Sequence, residues 1–369
     1  GFIRGIKWRG NVNASQTREI QFSQSVSQVF LGINMKCASC HDSFIDRWTL
    51  QEAYSLAAIY AEQPLELHRC DKPTGKTATP AWIFPELGQI DAAKPRNERL
   101  GELAALMTHP ENGRMQRTIA NRIWKQLMGR GIVHPVDAMG TAPWNEDLLD
   151  YLARVLVEHE YDLKKLLAEI AKSRTYQLQA ERVNEGGEEY VFRGPVMKRL
   201  TAEQFLDGIR AVTGTWPAPD QKALKGAGRA QGGQLTAVLQ AHSLKEWDGR
   251  PLRAAFTLLD PLQAALGRPN RAQVVSSRPE LVTTLEAITL ANGPRLASLL
   301  DEAAKSLAPS AASSPDALLE RLYLAALCRV PTADERRIAQ GLMGDPVTAE
   351  GLSDALWTLF MLPEFHYVQ

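Results

Sequence analysis

The fold is indicated most clearly by one stretch, MQRTIANRIWKQLMGRG at residues 115–131. Its apolar side chains recur every four residues, at Met115, Ile119, Ile123 and Leu127. Such a stripe is typical of an amphipathic α-helix. Gly129 follows the stripe, and glycine is common just beyond a helix C-terminus. The stretch therefore predicts one helix that begins near Met115 and ends before Gly129.

Helical signals continue on both sides of this stretch. Upstream, the apolar positions of residues 100–107 follow helical spacing and stop before Pro110. Downstream, several side chains are of the types that accept hydrogen bonds from the first N–H groups of a helix. These are Asn145, Asp162, the capping-box pairs Thr201–Gln204 and Thr332–Glu335, and Ser314 before Pro315. Few segments alternate with period two, so we predict a mainly α, multi-helix protein with a minor sheet at most.

Composition places the chain among ordinary globular proteins and limits its partners. It has 369 residues, a length typical of about two domains. Lys plus Arg and Asp plus Glu both number 42, so the formal net charge is zero. A general binder of nucleic acid or anionic membrane carries a basic excess. No run reaches the roughly 18 apolar residues that a membrane helix needs. We therefore predict no nucleic-acid partner and no transmembrane segment in this chain.

A proline-rich segment, residues 72–95, indicates the domain boundary. It holds four prolines, and prolines mark loops and turns. We place the boundary between residues 94 and 95, which gives a small N-terminal region (1–94) and a larger helical domain (95–369). Residues 181–189 and 217–233 contain clustered glycines and are predicted loops. The chain opens at Gly1, without an initiator Met, in ordinary domain sequence, so we expect it to be processed or truncated.

The cysteines carry the clearest chemical signal. Four cysteines are too few for a disulfide scaffold in a chain of this length, and two of them lie in Cys37-Ala38-Ser39-Cys40-His41. This Cys-x-x-Cys-His spacing is the attachment signature of covalent haem c. The two thiols add to the two vinyl groups of haem, and the residue that follows is held beneath the iron. Cys37 and Cys40 are therefore the predicted attachment sites, and His41 is the predicted axial ligand.

Neighbouring side chains indicate how the remaining haem contacts would be made. Arg47 is expected to neutralise a haem propionate, and Trp48 is expected to pack against the porphyrin ring. His68 ranks first as the sixth iron ligand, because a loop long enough to fold back separates it from His41. The lower-ranked candidates for this position are Met107, His109 and His134.

Three other interpretations of the cysteine motif remain open. A redox dithiol requires the motif in the strand-to-helix turn of a thioredoxin-like fold, whereas the flanking sequence here is helical. The main alternative is zinc, since Cys37, Cys40, His68 and Cys70 would make a tetrahedral Cys₃His set. The third interpretation is a vestigial motif without a ligand. The last cysteine, Cys328, is expected to be a small buried hydrophobic residue at the end of an apolar helix.

Several long motifs resemble one family. FLGINMKCASCHDSFIDRW at residues 30–48 resembles the cytochrome-like domain of the planctomycete cytochrome family. Residues 117–137, 161–178, 266–279 and 362–368 resemble the helical planctomycete PSD domain that follows it. The resemblance implies haem at Cys37, Cys40 and His41, and more sequence before Gly1, often another cytochrome-like module. Many relatives have a second His where this chain has Ser43, so no ligand role is carried over to that position.

Together these observations predict an extracytoplasmic, for example periplasmic, c-type haem protein in electron transfer or haem-linked redox chemistry. Its expected partner is a redox protein, and a further cytochrome module in the preceding sequence is one candidate. The alternative is a non-enzymatic interaction or structural module with the zinc site. The chain is a candidate oxidoreductase component, but the sequence assigns no catalytic residue.

The helical domain carries polar motif residues with no assigned role. Arginine suits bidentate contacts to carboxylates and phosphates. We therefore expect at least some of these residues to line one concave surface near the haem segment, where an anionic or sugar-like partner would bind. The set comprises Asn121, Arg122, Arg130, Arg174, Tyr176, Arg268, Asn270 and Arg271.

Overall fold

The computed structural model describes residues 6, 17–181, 190–216, 251–257, 259–269, 275–276, 278–279 and 281–368. It is mainly helical, which confirms the predicted fold class. No helix among the described residues is both long enough and apolar enough to cross a membrane. Of the two predicted loops, 181–189 and 217–233, only Glu181 is described, and it forms an isolated parallel bridge with Val196.

The chain divides into two compact units. The first comprises Gly1–Val196 with Arg271–Ser277, and the second comprises Met197–Asn270 with Arg278–Gln369. The expected boundary between residues 94 and 95 does not coincide with this division. Leu103, which follows that boundary, lies in the same apolar core as residues from the N-terminal region.

The first unit contains six helices and one hairpin among its described residues. In chain order these are α1 (Arg18–Leu31), α2 (Leu50–Ala58), β1 (Leu65–Arg69), β2 (Lys72–Ala78), α3 (Arg96–Met107), α4 (Gly113–Met128), α5 (Glu146–Glu158) and α6 (Leu163–Ala171). Helix α1 packs on α2 and α4, and α4 packs on α5 and α6. Strands β1 and β2 pair antiparallel. This hairpin is an element that the apolar periodicity did not predict, because β2 has only one buried residue, Ala78.

Four of the five predicted capping sites are formed, whereas the side chain of Ser314 makes no capping hydrogen bond. The side chain of Asn145 accepts a hydrogen bond from the Leu148 N–H at 2.9 Å, and that of Asp162 accepts one from the Lys164 N–H at 2.8 Å. Both predicted capping boxes, which begin at Thr201 and Thr332, are formed. These caps were predictable because each bond spans only two or three residues of sequence.

The buried face of α4 differs from the predicted stripe. Three of the four stripe residues are only half-buried: Ile119, Ile123 and Leu127. The polar Asn121 is fully buried instead, beside Trp124. Its Oδ1 accepts the Val133 N–H at 3.0 Å, and its Nδ2 donates to the Val133 carbonyl oxygen at 2.9 Å. An amide is accommodated in this core because the segment after α4 satisfies both of its polar ends.

The second unit is also helical in its described residues. Its elements are β3 (Lys198–Arg199), α7 (Ala202–Thr213), α8 (Pro261–Ala265), α9 (Thr284–Asn292), α10 (Pro294–Ser313), α11 (Pro315–Leu327), α12 (Ala333–Met343), α13 (Ala349–Met361), α14 (Pro363–His366) and β4 (Tyr367–Val368). Helix α13 packs on α10 and α12, α11 packs on α7, and β3 pairs antiparallel with β4.

The expectation that Cys328 is buried is wrong. It is the exposed C-cap of α11 with φ 57°, because the chain leaves the core where the helix ends.

Candidate functional site

The end of helix α1 fixes where the cysteine motif lies. The chain leaves α1 at Gly32, whose φ is 60°. The Gly32 carbonyl oxygen then accepts the Met139 N–H at 3.1 Å, and Ile33 forms an isolated antiparallel bridge with Ala138. The segment that leads to the motif is therefore tied to the chain after α4 before the first cysteine is reached.

Residues Cys37–His41 form one tight turn, here named the CxxCH turn. The His41 N–H donates to the Cys37 carbonyl oxygen at 3.2 Å, which closes the turn. The two intervening residues, Ala38 and Ser39, are fully buried, whereas both cysteines and the histidine are half-exposed. Ala38 and Ser39 thus anchor the turn in the core, and the side chains of Cys37, Cys40 and His41 are accessible to solvent.

The His41 ring is oriented by its own backbone. Its Nδ1 lies 2.7 Å from the carbonyl oxygen of Asp42. A carbonyl oxygen only accepts hydrogen bonds, so in the neutral ring Nδ1 carries the proton and Nε2 has the lone pair. The ring also contacts Phe44, with centroids 4.5 Å apart. This arrangement, with one nitrogen held by a carbonyl group and the other available, is the usual state of a metal-binding histidine.

A closed loop follows the turn, residues 42–48. The Ser43 N–H donates to the Trp48 carbonyl oxygen at 2.8 Å, and the Asp42 side chain accepts the first N–H of α2 at 2.9 Å. The tip of this 42–48 loop carries Phe44 and Ile45, which are 87% and 79% exposed. Phe44 and Ile45 therefore form a small exposed apolar patch next to the CxxCH turn.

Arg47 and Trp48 close the loop as a stacked pair. The Arg47 guanidinium lies 3.9 Å from the Trp48 ring centroid and 3.7 Å from a Glu52 carboxylate oxygen. Trp48 is buried and meets Phe84 edge-on, whereas the Arg47 side chain is 63% exposed. Trp48 therefore acts as a rigid platform that holds the Arg47 charge at the surface.

The β1–β2 hairpin brings the other candidate ligands to the same region. The Cys70 N–H donates to the Cys40 carbonyl oxygen at 3.0 Å, which joins the hairpin to the CxxCH turn. His68 lies on β1, and its Nδ1 is 3.2 Å from the Glu66 carbonyl oxygen. The hydroxyl of the buried Tyr54 donates to the His68 carbonyl oxygen at 3.4 Å, and burial raises the pKa of that hydroxyl.

The residues of the zinc interpretation do not form a ready-made site. Among the residues that the structure describes, no three His, Cys, Asp or Glu side chains are grouped so that they could hold one metal ion. All four cysteines are among those residues, and none of them is in a disulfide. Cys37, Cys40, His68 and Cys70 would therefore have to rearrange to bind zinc together.

The residues of the CxxCH turn do fit a covalently attached haem. Two half-exposed thiols flank two buried positions, and His41 offers Nε2 with its ring orientation fixed. The exposed side chains of Phe44 and Ile45 supply apolar surface beside the histidine. These features match what an attached and ligated porphyrin requires of the chain.

The described polar motif residues of the first unit do not line the cleft beside the CxxCH turn, so the expected concave surface is not formed by these members. Arg122 pairs with Asp137 at 2.8 Å, and Arg130 stacks on Tyr190. Arg268 is buried in the second unit, where it donates to backbone carbonyl groups. Asn270 and Arg271 lie outside the described residues.

The cleft beside the CxxCH turn is lined by two other arginines, Arg47 and Arg114. Arg47 was a predicted haem contact, whereas Arg114, in the first turn of α4, had no predicted role. Asn112 caps this helix, and its side chain accepts the Arg114 N–H at 3.2 Å. Asn112 is a typical capping residue, but the local sequence does not reveal that Arg114 lines the same cleft as the 42–48 loop.

The described residues thus define a mainly α protein with a CxxCH turn in its first compact unit. The family model PSD1, described as a protein of unknown function (DUF1553), matches residues 98–343, about two-thirds of the chain, and the chain belongs to this family. The model PSCyt2, described as a protein of unknown function (DUF1549), matches residues 1–64, which include the CxxCH turn.

Both models represent planctomycete-type domain families. The resemblance to the helical PSD domain is therefore confirmed. For the N-terminal region the match is to DUF1549, and its description mentions no haem. Searches of curated proteins and of solved structures find no match to this chain.

Proposed function

We propose that the protein is a c-type haem protein that takes part in electron transfer or haem-linked redox chemistry. The observation that carries the proposal is the CxxCH turn, where two half-exposed thiols and an oriented histidine are anchored by two buried residues. Cys37 and Cys40 would each add across one vinyl group, so that a carbon–sulfur bond forms and the proton goes to the second vinyl carbon. His41 would ligate the iron through Nε2.

The chain's own residues prepare this site. The Asp42 carbonyl oxygen holds the His41 ring in one tautomer, and the Asp42 side chain secures the loop to the start of α2. Phe44 and Ile45, exposed at the loop tip, would cover an apolar face of the macrocycle and exclude water from it. His68 remains the first candidate for the sixth ligand. Bound haem supplies one-electron redox chemistry, whose potential depends on the axial ligands, burial and hydrogen bonds.

The proposal also implies a location and a partner. Covalent haem attachment of this type takes place outside the cytoplasm, so we place the protein in the periplasm or another extracytoplasmic compartment. Its electron donor or acceptor would be a redox protein. The surface around the exposed loop tip is the natural docking point, because electron transfer requires the partner to approach the haem edge.

The test is covalent attachment in cells that carry a c-type maturation system. The full chain should keep its Soret band after denaturation and stain for haem on a denaturing gel. A Cys37→Ala/Cys40→Ala variant should lose the stain. Cys70→Ala is the matched control, since Cys70 belongs to the zinc set and not to the attachment motif. A colourless protein that holds one zinc ion per chain, lost in Cys70→Ala, would contradict the proposal and support the zinc module.

A further inference from the structure

A cleft lies between the segment that enters the CxxCH turn and the loop that leaves it. Its volume is about 660 Å³, within the usual range of small-molecule sites. One part of its wall is apolar, formed by Ile33, Ile45, Trp48 and Phe84. The lining also includes two guanidinium groups, and we name the cavity the arginine cleft. It combines apolar side chains with two cationic groups.

Arg114 is the better-fixed of the two cations. Its Nε donates to the Leu31 carbonyl oxygen at 2.9 Å, and its Nη1 donates to the Met139 carbonyl oxygen at 2.8 Å. Both acceptors are neutral, and no described carboxylate pairs with this side chain. Burial lowers the pKa of Arg114, and repulsion from Arg47 and Arg117 lowers it further. Because Nε and Nη1 of Arg114 are bonded to backbone carbonyl groups, Nη2 is the nitrogen left to donate to a ligand.

The two carboxylates of the cleft, Asp46 and Asp137, have partners other than its two arginines. Asp137 is already paired with Arg122 at 2.8 Å, and its other oxygen accepts a hydrogen bond from Gln28. Asp46 uses Oδ1 to accept the Trp48 N–H at 3.1 Å. Arg47 has one weak contact, to Glu52 at 3.7 Å. Among the described residues, neither Asp46 nor Asp137 forms an ion pair with Arg47 or Arg114, so both guanidinium groups that line the cleft can still pair with an incoming carboxylate.

We propose that the arginine cleft binds a carboxylate group carried on a flat apolar body, with Arg47 and Arg114 as its charged contacts. The half-buried Phe84 and the exposed Ile45 would pack against the body. Two sources supply this chemistry: the propionate-bearing edge of a haem attached at the CxxCH turn, and a free aromatic carboxylate. The first source rests on the proposed function, whereas the cleft itself exists without haem.

The experiment uses the full chain without haem and follows binding by ¹⁹F NMR line broadening. The probe is 4-fluorobenzoate, and 4-fluorobenzamide is the uncharged control of the same shape. The benzoate should bind saturably and the benzamide at least about tenfold more weakly, because charge-assisted hydrogen bonds are the stronger ones. Arg47→Gln should weaken benzoate binding about fivefold, and Arg114→Gln about tenfold or more.

Arg117→Gln is the matched control on the same helix, since Arg117 pairs with Glu146 and Asp150 outside the cleft. It should change benzoate affinity less than about twofold. Arg114 supports two backbone carbonyl groups, so its variant also requires a folding check by circular dichroism. Arg47 is exposed and makes no such contact, so Arg47→Gln tests the proposal even where Arg114→Gln unfolds.

A haem-loaded sample separates the two sources. If haem propionates fill the cleft, attached haem should exclude 4-fluorobenzoate. If a free carboxylate is the ligand, its binding should survive haem attachment. Equal binding of benzoate and benzamide, or unchanged affinity in Arg47→Gln, would overturn the carboxylate site. Failure to attach haem would contradict the proposed function alone, since the haem-free measurement does not depend on it.

Discussion

The geometry at Gly32 makes a quantitative prediction for the substitution Gly32→Ala. Gly32 has φ 60°, and an L residue in this left-handed conformation costs about 1–2 kcal/mol. A Cβ at this position would also overlap Met139 Cγ and lie 3.3 Å from Thr118 Cγ2. Met139 is buried, and its sulfur accepts a hydrogen bond from Asn121, so it cannot move away freely. Overpacking of this kind costs about 1–3 kcal/mol. We therefore expect Gly32→Ala to lower the free energy of unfolding by about 3 kcal/mol.

Gly75 provides the matched control for this prediction. It also has a left-handed φ, 72°, but an added Cβ would meet nothing within 4 Å. Gly75→Ala should therefore show only the backbone cost, about 1 kcal/mol. Urea unfolding of both variants, followed by far-ultraviolet circular dichroism, measures the two losses directly. Equal losses would refute the argument, because they would mean that Met139 and Thr118 accommodate the added methyl group at no cost.

Three further substitutions test other contacts. Asn121→Ala should lower the free energy of unfolding by about 2–3 kcal/mol, because the buried N–H and C=O groups of Val133 lose their partner; an unchanged urea midpoint would contradict this. Glu335 pairs with Arg329 through two 2.8 Å hydrogen bonds, which lower the pKa of its carboxyl from 4.5 to about 2. The stabilisation from this ion pair is complete above the pKa of the unfolded carboxyl and is lost as the pH falls towards 2. Glu335→Gln should therefore lower the free energy of unfolding by about 1 kcal/mol at neutral pH and by almost nothing near pH 2. A loss that is independent of pH would be inconsistent with the ion pair. In haem-loaded protein, His68→Ala should convert a low-spin absorption spectrum to a high-spin one, and an unaltered spectrum would exclude His68 as the sixth ligand.

Local chemistry was predictable from the sequence wherever a residue acts on its near neighbours. The caps at Asn145 and Asp162 and the capping boxes at Thr201 and Thr332 bond within three residues, so the pattern alone located these helix starts. The CxxCH motif was equally readable, because its three side chains fall within one turn. Its predicted haem remains a proposal, since the family models carry no statement of a cofactor.

The wrong expectations arose where burial depends on distant segments. The apolar stripe predicted α4 but not its buried face, because Asn121 is satisfied by Val133, twelve residues further along the chain. The motif arginines of the helical domain were expected near the CxxCH turn, yet Arg268 is used to secure backbone carbonyl groups in the second unit. The sequence does not reveal which polar side chains form hydrogen bonds within the protein and are therefore not available to a ligand.

The sequence by itself determined the helices, their caps and the spacing of Cys37, Cys40 and His41, because these depend on bonds and periodicities within a few residues. Only the tertiary structure decided that Cys70 meets the CxxCH turn and that Arg114 faces Arg47 across one cleft. Arg47 and Arg114 are brought together by the packing of α1, α4 and the 42–48 loop around a shared core. That packing is a sum of many weak apolar contacts between remote segments, and no local pattern encodes it.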